Sequence, residues 1–316
     1  MDVDWVRRRL SRREFVGLLA AAGLGAFVGA CGGQPIAPRP SPVPLKSTEP
    51  YLAVARGQDT RAITRAVLAA IGGMERFVKP GDDVVIKPNI CVDYRTPEYG
   101  ATTNPEVVGA LVELCLAAGA KRVRVMDSPF GGSPEPAYAR SGIEESVKAA
   151  GGEMEVMNRA KFLKTDIPEG RELSSWEVYT EVLTTDVLID VPVAKHHNLA
   201  RLSLAGKNLL GVVLRPSLMH ANLGQRTADL VSLVRPSLTV VDAVRTLMAR
   251  GPTGGNLGDV RLTNAVIASH DIVAADAYAA TLFDLTGPDI AYVKMAADMG
   301  LGTLDLDGIK IAELAL

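Results

Sequence analysis

The sequence predicts an α/β fold, a largely parallel open sheet covered by helices on both faces with a small irregular insertion. Short runs rich in Val, Ile and Leu alternate along the chain with segments of helical period. The strand-like runs are apolar at successive positions, as expected where both faces of a sheet are buried. Aromatic residues make up only 5% of the chain, so the core must come from aliphatic side chains, which suits layered packing.

Taken in order, the strand candidates are YLAVA (51–55), DVVIK (83–87), RVRVM (122–126), EMEVM (153–157), DVLIDVPV (186–193), LTVVD (238–242), NAVIAS (264–269) and IKIAEL (309–314). Between the first two, Thr60 to Ile71 places Ile63, Val67, Leu68 and Ile71 on one face of a helix. Asn104 then stands where a helix N-cap belongs, with Pro105 at the first helical position, and the apolar pattern continues to Gly119. Two further helices are expected, from Asp276 to Leu285 and from Asp289 to Met299. Residues 158–185 are the least regular stretch and read as the insertion.

The first 50 residues do not belong to this alternation. Arg7 to Arg9 precede Ser11-Arg12-Arg13-Glu14-Phe15, an apolar segment follows from Val16 to Ala30, and small residues lead to Cys31. This is the order of an export signal: basic start, short apolar region, small residues at a cleavage point. Ser-Arg-Arg-x-Phe is similar to the twin-arginine signal, and Val28-Gly29-Ala30-Cys31 is similar to a lipobox. The expected organisation is a signal peptide over 1–31, a tether over 32–50 and one α/β domain over 51–316. The tether carries five prolines between Pro35 and Pro44 and has too few apolar residues to pack. The expected product is exported and lipid-anchored through Cys31, on the outer side of the cytoplasmic membrane or in the cell envelope. Its partners are then the twin-arginine export machinery and the membrane. A net charge of −2 and the lack of a basic patch interleaved with aromatics argue against a nucleic-acid partner.

Polar clusters follow the apolar runs. DVVIK leads to Pro88-Asn89, RVRVM to Asp127-Ser128, DVLIDVPV to Lys195-His196-His197, LTVVD to Asp242 and then Arg250-Gly251-Pro252, and NAVIAS to His270-Asp271. In open α/β sheets ligands bind beyond the carboxyl ends of the strands, so such clusters are expected to share a cleft. Lys87, Lys195 and Lys207 are suited to a carboxylate or phosphate. Lys207 lies among Leu204, Leu209 and Leu210, where an ammonium group is hidden badly. His196 and His197 are adjacent, so on a strand only one of them faces the cleft and can act as a general base. Asp242 ends an apolar run and is the expected working carboxylate. Lys195, His196, His197, Lys207 and Asp242 are therefore the catalytic candidates, with Lys87, Asn89, Asp127, Ser128 and Asn208 as ligand-binding candidates. Asp127, His196, His220 and Asp242 offer the donor types of a divalent metal site, without a diagnostic spacing. Asp190, Asp271 and Asp276 read as strand-end or helix-start residues.

The motifs IKPN (86–89), TTNPEVV (102–108), VMDSP (125–129), AKHHNLARLSLAGKNLLG (194–211), VVDAV (240–244), RGP (250–252) and DIVAADAYAA (271–280) resemble the Domain of Unknown Function 362 family. The resemblance spans roughly residues 51–314. Some members carry ferredoxin-type cysteine segments, and this chain has only Cys31, Cys91 and Cys115, so no iron–sulfur cluster is expected. Export after folding is compatible with a cofactor loaded beforehand. The family usually has Lys-x-His before Ser-Leu-Lys-Asn. Here Lys195-His196-His197 and Ser203-Leu204-Ala205-Gly206-Lys207-Asn208 depart from that, which leaves open the equivalent histidine. Two function classes follow: an enzyme for a small anionic substrate using Lys, His and Asp, or a lipid-anchored receptor for an anion or metal. A Cys91–Cys115 disulfide is open after export.

Overall fold

A computed structural model describes residues 49–316. The twin-arginine signal, the lipobox with Cys31 and the tether as far as residue 48 lie outside the described residues. In chain order the elements are β1 (Leu52–Arg56), α1 (Thr60–Ala70), β2 (Asp83–Pro88), α2 (Pro105–Ala117), β3 (Arg122–Val125), α3 (Pro134–Arg140), α4 (Ile143–Ala149) and β4 (Glu153–Met154). There follow β5 (Phe162–Asp166), β6 (Ser175–Tyr179), α5 (Glu181–Thr184), β7 (Val187–Val191), β8 (Val193–His197), β9 (Arg201–Ser203) and α6 (Ala205–Asn208). The chain closes with α7 (Leu223–Val234), β10 (Leu238–Leu247), β11 (Val260–Ser269), α8 (Ile272–Thr281), α9 (Ala291–Asp298) and β12 (Ile311–Ala315).

Among the described residues ten strands form one sheet in the order β12-β1-β11-β10-β7-β2-β3-β4, with β8 branching from β10 and carrying β9. The pairs β10–β7, β7–β2, β2–β3 and β3–β4 are parallel, whereas β11 runs antiparallel to both neighbours. Alternate side chains feed two cores. Ala53, Val84, Ile86, Val123 and Val240 pack with α1, α2 and α4, while Leu52, Val54, Val85, Leu188 and Val241 pack with α6 to α9. The fold is thus the expected sheet with helices on both faces.

Several boundaries moved for identifiable reasons. DVLIDVPV breaks at Pro192, which has no N–H for the ladder, into β7 and β8. The stretch 158–185 holds an antiparallel hairpin, β5 with β6, whose mostly half-buried or exposed residues mute the apolar alternation. Helix α8 starts four residues before the expected position, because Asp271 caps it by accepting from the Val273 and Ala274 amides. Asp276 therefore lies inside the helix, buried, and is not a helix-start residue. β11 is antiparallel, so His270 and Asp271 sit at the opposite edge of the sheet from the ends of β2, β3 and β7. They do not join the cleft expected from their place after NAVIAS.

Candidate active site

Beyond the carboxyl ends of β2, β3 and β8 lies a cavity of about 410 Å³ whose lining includes Lys87, Asn89, Cys91, Asp127, Ser128, Lys195, His197, Lys207, Asn208 and His220. Residues more than a hundred positions apart in sequence meet here. The parallel strands bring their ends to one edge, and α6 delivers Lys207 and Asn208 from the opposite wall.

The floor is a closed hydrogen-bond network. Lys87 Nζ donates to Asp127 Oδ1 at 2.6 Å, to the Pro88 carbonyl at 2.8 Å and to Asn208 Oδ1 at 3.0 Å. An ammonium has three protons, so Lys87 is saturated. Asp127 Oδ2 accepts from the Ile90 amide at 2.6 Å. Burial pushes this carboxyl up, while Lys87 and the Ile90 amide pull it back. Asn208 also takes a bond from Asn89 Nδ2 at 2.9 Å and donates to Asp190 Oδ1 at 2.7 Å and to the Lys87 carbonyl. Asn89 Oδ1 in turn accepts from Lys195 Nζ, whose second bond goes to the Ala101 carbonyl at 2.6 Å. Burial lowers the Lys195 pKa, and the Cys91 thiol group beside it opposes that shift.

Two supporting contacts fix this floor. Gly211 passes so close that a Cβ there would overlap Asp127 Oδ1 and lie 2.7 Å from Lys87 Nζ, so only glycine fits. Asp276 holds the start of α6 by accepting from the Ala205 amide at 2.7 Å and the Gly206 amide at 2.9 Å. Burial raises the Asp276 pKa to about 7. Asp190 is wholly buried and desolvation drives its pKa well above the ordinary carboxyl value; its Oδ2 has no partner among the described residues.

Lys207 differs from the other two lysines. Among the described residues no hydrogen-bond or ion-pair partner reaches its Nζ, although it lines the cavity. Burial, then repulsion from Lys195, lowers its pKa to about 8. Nearby, the His197 ring is fixed by two backbone donors. Nδ1 accepts from the Leu199 amide at 3.1 Å and from the Ala200 amide at 3.3 Å. A nitrogen that accepts amide hydrogens carries none itself, so the neutral ring bears its proton on Nε2. Burial, Lys207 and Lys195 together push the His197 pKa down to about 3. His197 is thus a neutral hydrogen-bond donor at physiological pH, and not the general base its sequence position suggested.

Three other expectations are corrected by the geometry. His196 alternates to the far side of β8 and is not among the cavity residues; its Nδ1 accepts from the Gly251 amide at 3.2 Å. Asp242 is in mid-strand, not at a strand end. Its carboxylate accepts from the Asn104 amide at 2.7 Å and from the Val244 amide at 2.9 Å, the second freed by a bulge between Ala243 and Arg245. It anchors the start of α2 instead of serving as a working carboxylate. The four suggested metal donors consequently do not converge: Asp127 and His220 line the cavity, while His196 and Asp242 do not. Among the described residues no group of three or more His, Cys, Asp or Glu side chains is placed to hold a metal ion. Cys91 and Cys115 are both free thiols.

Sequence reasoning missed Cys91 as a lining residue, along with Ser203, Phe130 and Pro216. The signal for Cys91 was available, since it stands two residues past Asn89 in the same strand-end loop.

The segment that builds this floor, from β2 through α8, is also the part of the chain with recognisable kin. Residues 84–281 match the family described as "Domain of unknown function (DUF362)". The chain belongs to this family. A curated relative, the thylakoid-associated protein sll1697 of Synechocystis, is 29% identical over 258 residues, covering 76% of this chain and 74% of that protein. Among solved structures, the lactate racemase apoprotein of Thermoanaerobacterium thermosaccharolyticum is similar with a TM-score of 0.45 and 12% identity, covering 78% of this chain and 56% of that one. A Thermotoga maritima protein is similar with a TM-score of 0.37 and 10% identity, covering 76% of this chain and 58% of that one. The chain thus spans a little over half the length of each of these two structures.

Proposed function

We propose that this DUF362 protein is an enzyme acting on a small anionic molecule, with the anion held between Lys207 and the Nε2–H of His197. The observation that carries the reading is the contrast among the three lysines of the cavity, two buried and Lys207 half-buried. Lys87 is saturated and Lys195 has two of its three protons committed, whereas Lys207 has no partner among the described residues. A desolvated ammonium without a partner is costly, and an anion in the cavity removes that cost.

The chemistry follows from the protonation states. With a pKa near 8, Lys207 is mainly an ammonium at neutral pH and gives up its proton with little driving-force penalty, which suits a general acid. His197 supplies a neutral donor that stabilises negative charge on the substrate without competing for the proton. Lys195 stands at the floor of the same cavity, and the Asn89 amide retains one N–H for the ligand. An enzyme reading is favoured over a pure receptor because a receptor has no use for an ammonium tuned toward neutrality.

As to location, the proposal is an exported domain tethered through a lipidated Cys31, supported by the order of the N-terminal motifs. The Synechocystis relative is named as thylakoid-associated, which is in keeping with a membrane-bound life. Fractionation of cells expressing Cys31→Ser is the test of the anchor. The mutant is expected in the soluble fraction or as unprocessed precursor; a membrane-bound product of unchanged mature mass would refute the anchor. For the site, Lys207→Met is expected to abolish binding of short carboxylates by calorimetry. If a turnover assay on a bound acid shows none with wild type while binding is intact, the receptor reading replaces the enzyme.

A further inference from the structure

The cavity changes character from floor to mouth. Lys87, Asp127 and Lys195, each at most 2% exposed, and the buried Asn208 form its enclosed end, with Lys207 half-buried beside them. Toward solvent the lining includes Pro129, Phe130, Pro216 and Pro252, with the Leu210 side chain below them. Three of these are prolines, which carry no N–H to offer a ligand. Phe130 is 73% exposed, the highest value among the large hydrophobic side chains of the described residues. Leu199, in the turn whose amides hold the His197 ring, is 69% exposed, and Leu218, next to the lining residue Ser217, is 49% exposed.

An exposed apolar cluster beside a polar site marks a ligand groove or an interaction surface. Here the apolar wall is continuous with the charged floor inside one cavity, and a volume of about 410 Å³ suits a whole small molecule. A bare inorganic anion would fill the floor and leave Phe130 and the proline wall in water.

We infer that the substrate is a small amphipathic acid: an anionic group at Lys207 and His197, and an apolar chain or ring lying along Phe130, Pro129, Pro216 and Pro252. This rests on the anion site proposed above and adds what the rest of the ligand must be. The acid enters headgroup first, because the half-buried Lys207 and the buried His197 are more enclosed than the exposed Phe130 and Pro216. The apolar part then covers Phe130, removing its ring from water.

The test is calorimetric titration of the domain with acetate, butyrate, hexanoate and octanoate at pH 7 and fixed ionic strength. Affinity is expected to climb by roughly fourfold per added methylene until the wall is filled. Phe130→Ser, an exposed change that does not disturb the core, should flatten the climb. Lys207→Met should weaken every member of the series. A flat series with measurable, Lys207-dependent acetate binding would overturn the amphipathic assignment and leave the anion site standing. A climb undiminished in Phe130→Ser would overturn the placement of the apolar part. Binding of no acid, or binding indifferent to Lys207, would overturn the anion site itself.

Discussion

Raising the pH from 7 to 9 should weaken anion binding about tenfold, and Lys207 is the reason. Its ammonium has a pKa of about 8, lowered by burial and by Lys195. An anion that requires the charged form binds in proportion to the protonated fraction, about nine-tenths at pH 7 and about one-tenth at pH 9. The ratio corresponds to roughly 1.4 kcal/mol. Hexanoate is the appropriate probe, because its own charge is constant across this range. Other groups face the same space: Cys91, Lys195, His197 and His220. His197 is already neutral across the whole window, having been pushed down to about 3. The control is therefore Lys207→Met, which should bind weakly and without the pH dependence, and Cys91→Ser, which should keep it. Calorimetry at pH 7, 8 and 9 reads the effect directly. A Kd constant across this range, or one that rises as steeply in Lys207→Met, would refute the assignment of Lys207 as the anion's partner.

Three further outcomes concern the frame of the site. Lys87→Met leaves Asp127 buried and unpaired and should cost about 3–5 kcal/mol in urea denaturation, with part recovered in Lys87→Met/Asp127→Leu. A loss under about 1 kcal/mol would mean the pair is not sealed from water. Gly211→Ala should cost about 1–3 kcal/mol, because the added Cβ has no room beside Asp127 and Lys87; an unchanged Tm would contradict that packing. Asp276 keeps its proton to about pH 7 in the folded chain, against an ordinary carboxyl value of about 3.9, so between these values the unfolded chain is the more ionised. Its contribution to stability therefore falls as pH rises through that window, by roughly 4 kcal/mol. Asp276→Asn should remove this slope, whatever its constant cost, and a slope shared by both proteins would assign the effect elsewhere.

How much of this was written in the sequence depends on the kind of information each feature needs. The strands β1, β2, β3 and β10 and the capped start of α2 at Asn104-Pro105 were legible, because burial and capping act locally and leave a pattern within a few residues. Strand direction leaves none. NAVIAS has the same apolar pattern whether its strand runs up or down the sheet, which is why His270 and Asp271 were expected at the wrong edge. The length of a strand end is similarly hidden: LTVVD continues through Asp242 to Leu247, so a carboxylate that looked terminal is an interior anchor.

The lysines make the same point at the level of chemistry. Lys87, Lys195 and Lys207 each follow or sit within apolar sequence, and nothing local separates them. What separates them is the count of acceptors delivered from elsewhere: Asp127 from β3, Asn208 from α6 and the Ala101 carbonyl from the loop before α2. Two lysines are thereby drawn into the scaffold, and the third is left with protons to give. The histidine is decided in the same way, by two amides of the turn at 199–200 that convert a residue suited to accept a proton into one that can only donate a hydrogen bond. The anion partner proposed for this site is thus picked out by which side chains the fold leaves unsatisfied, and that can be read only once the partners of all the others are known.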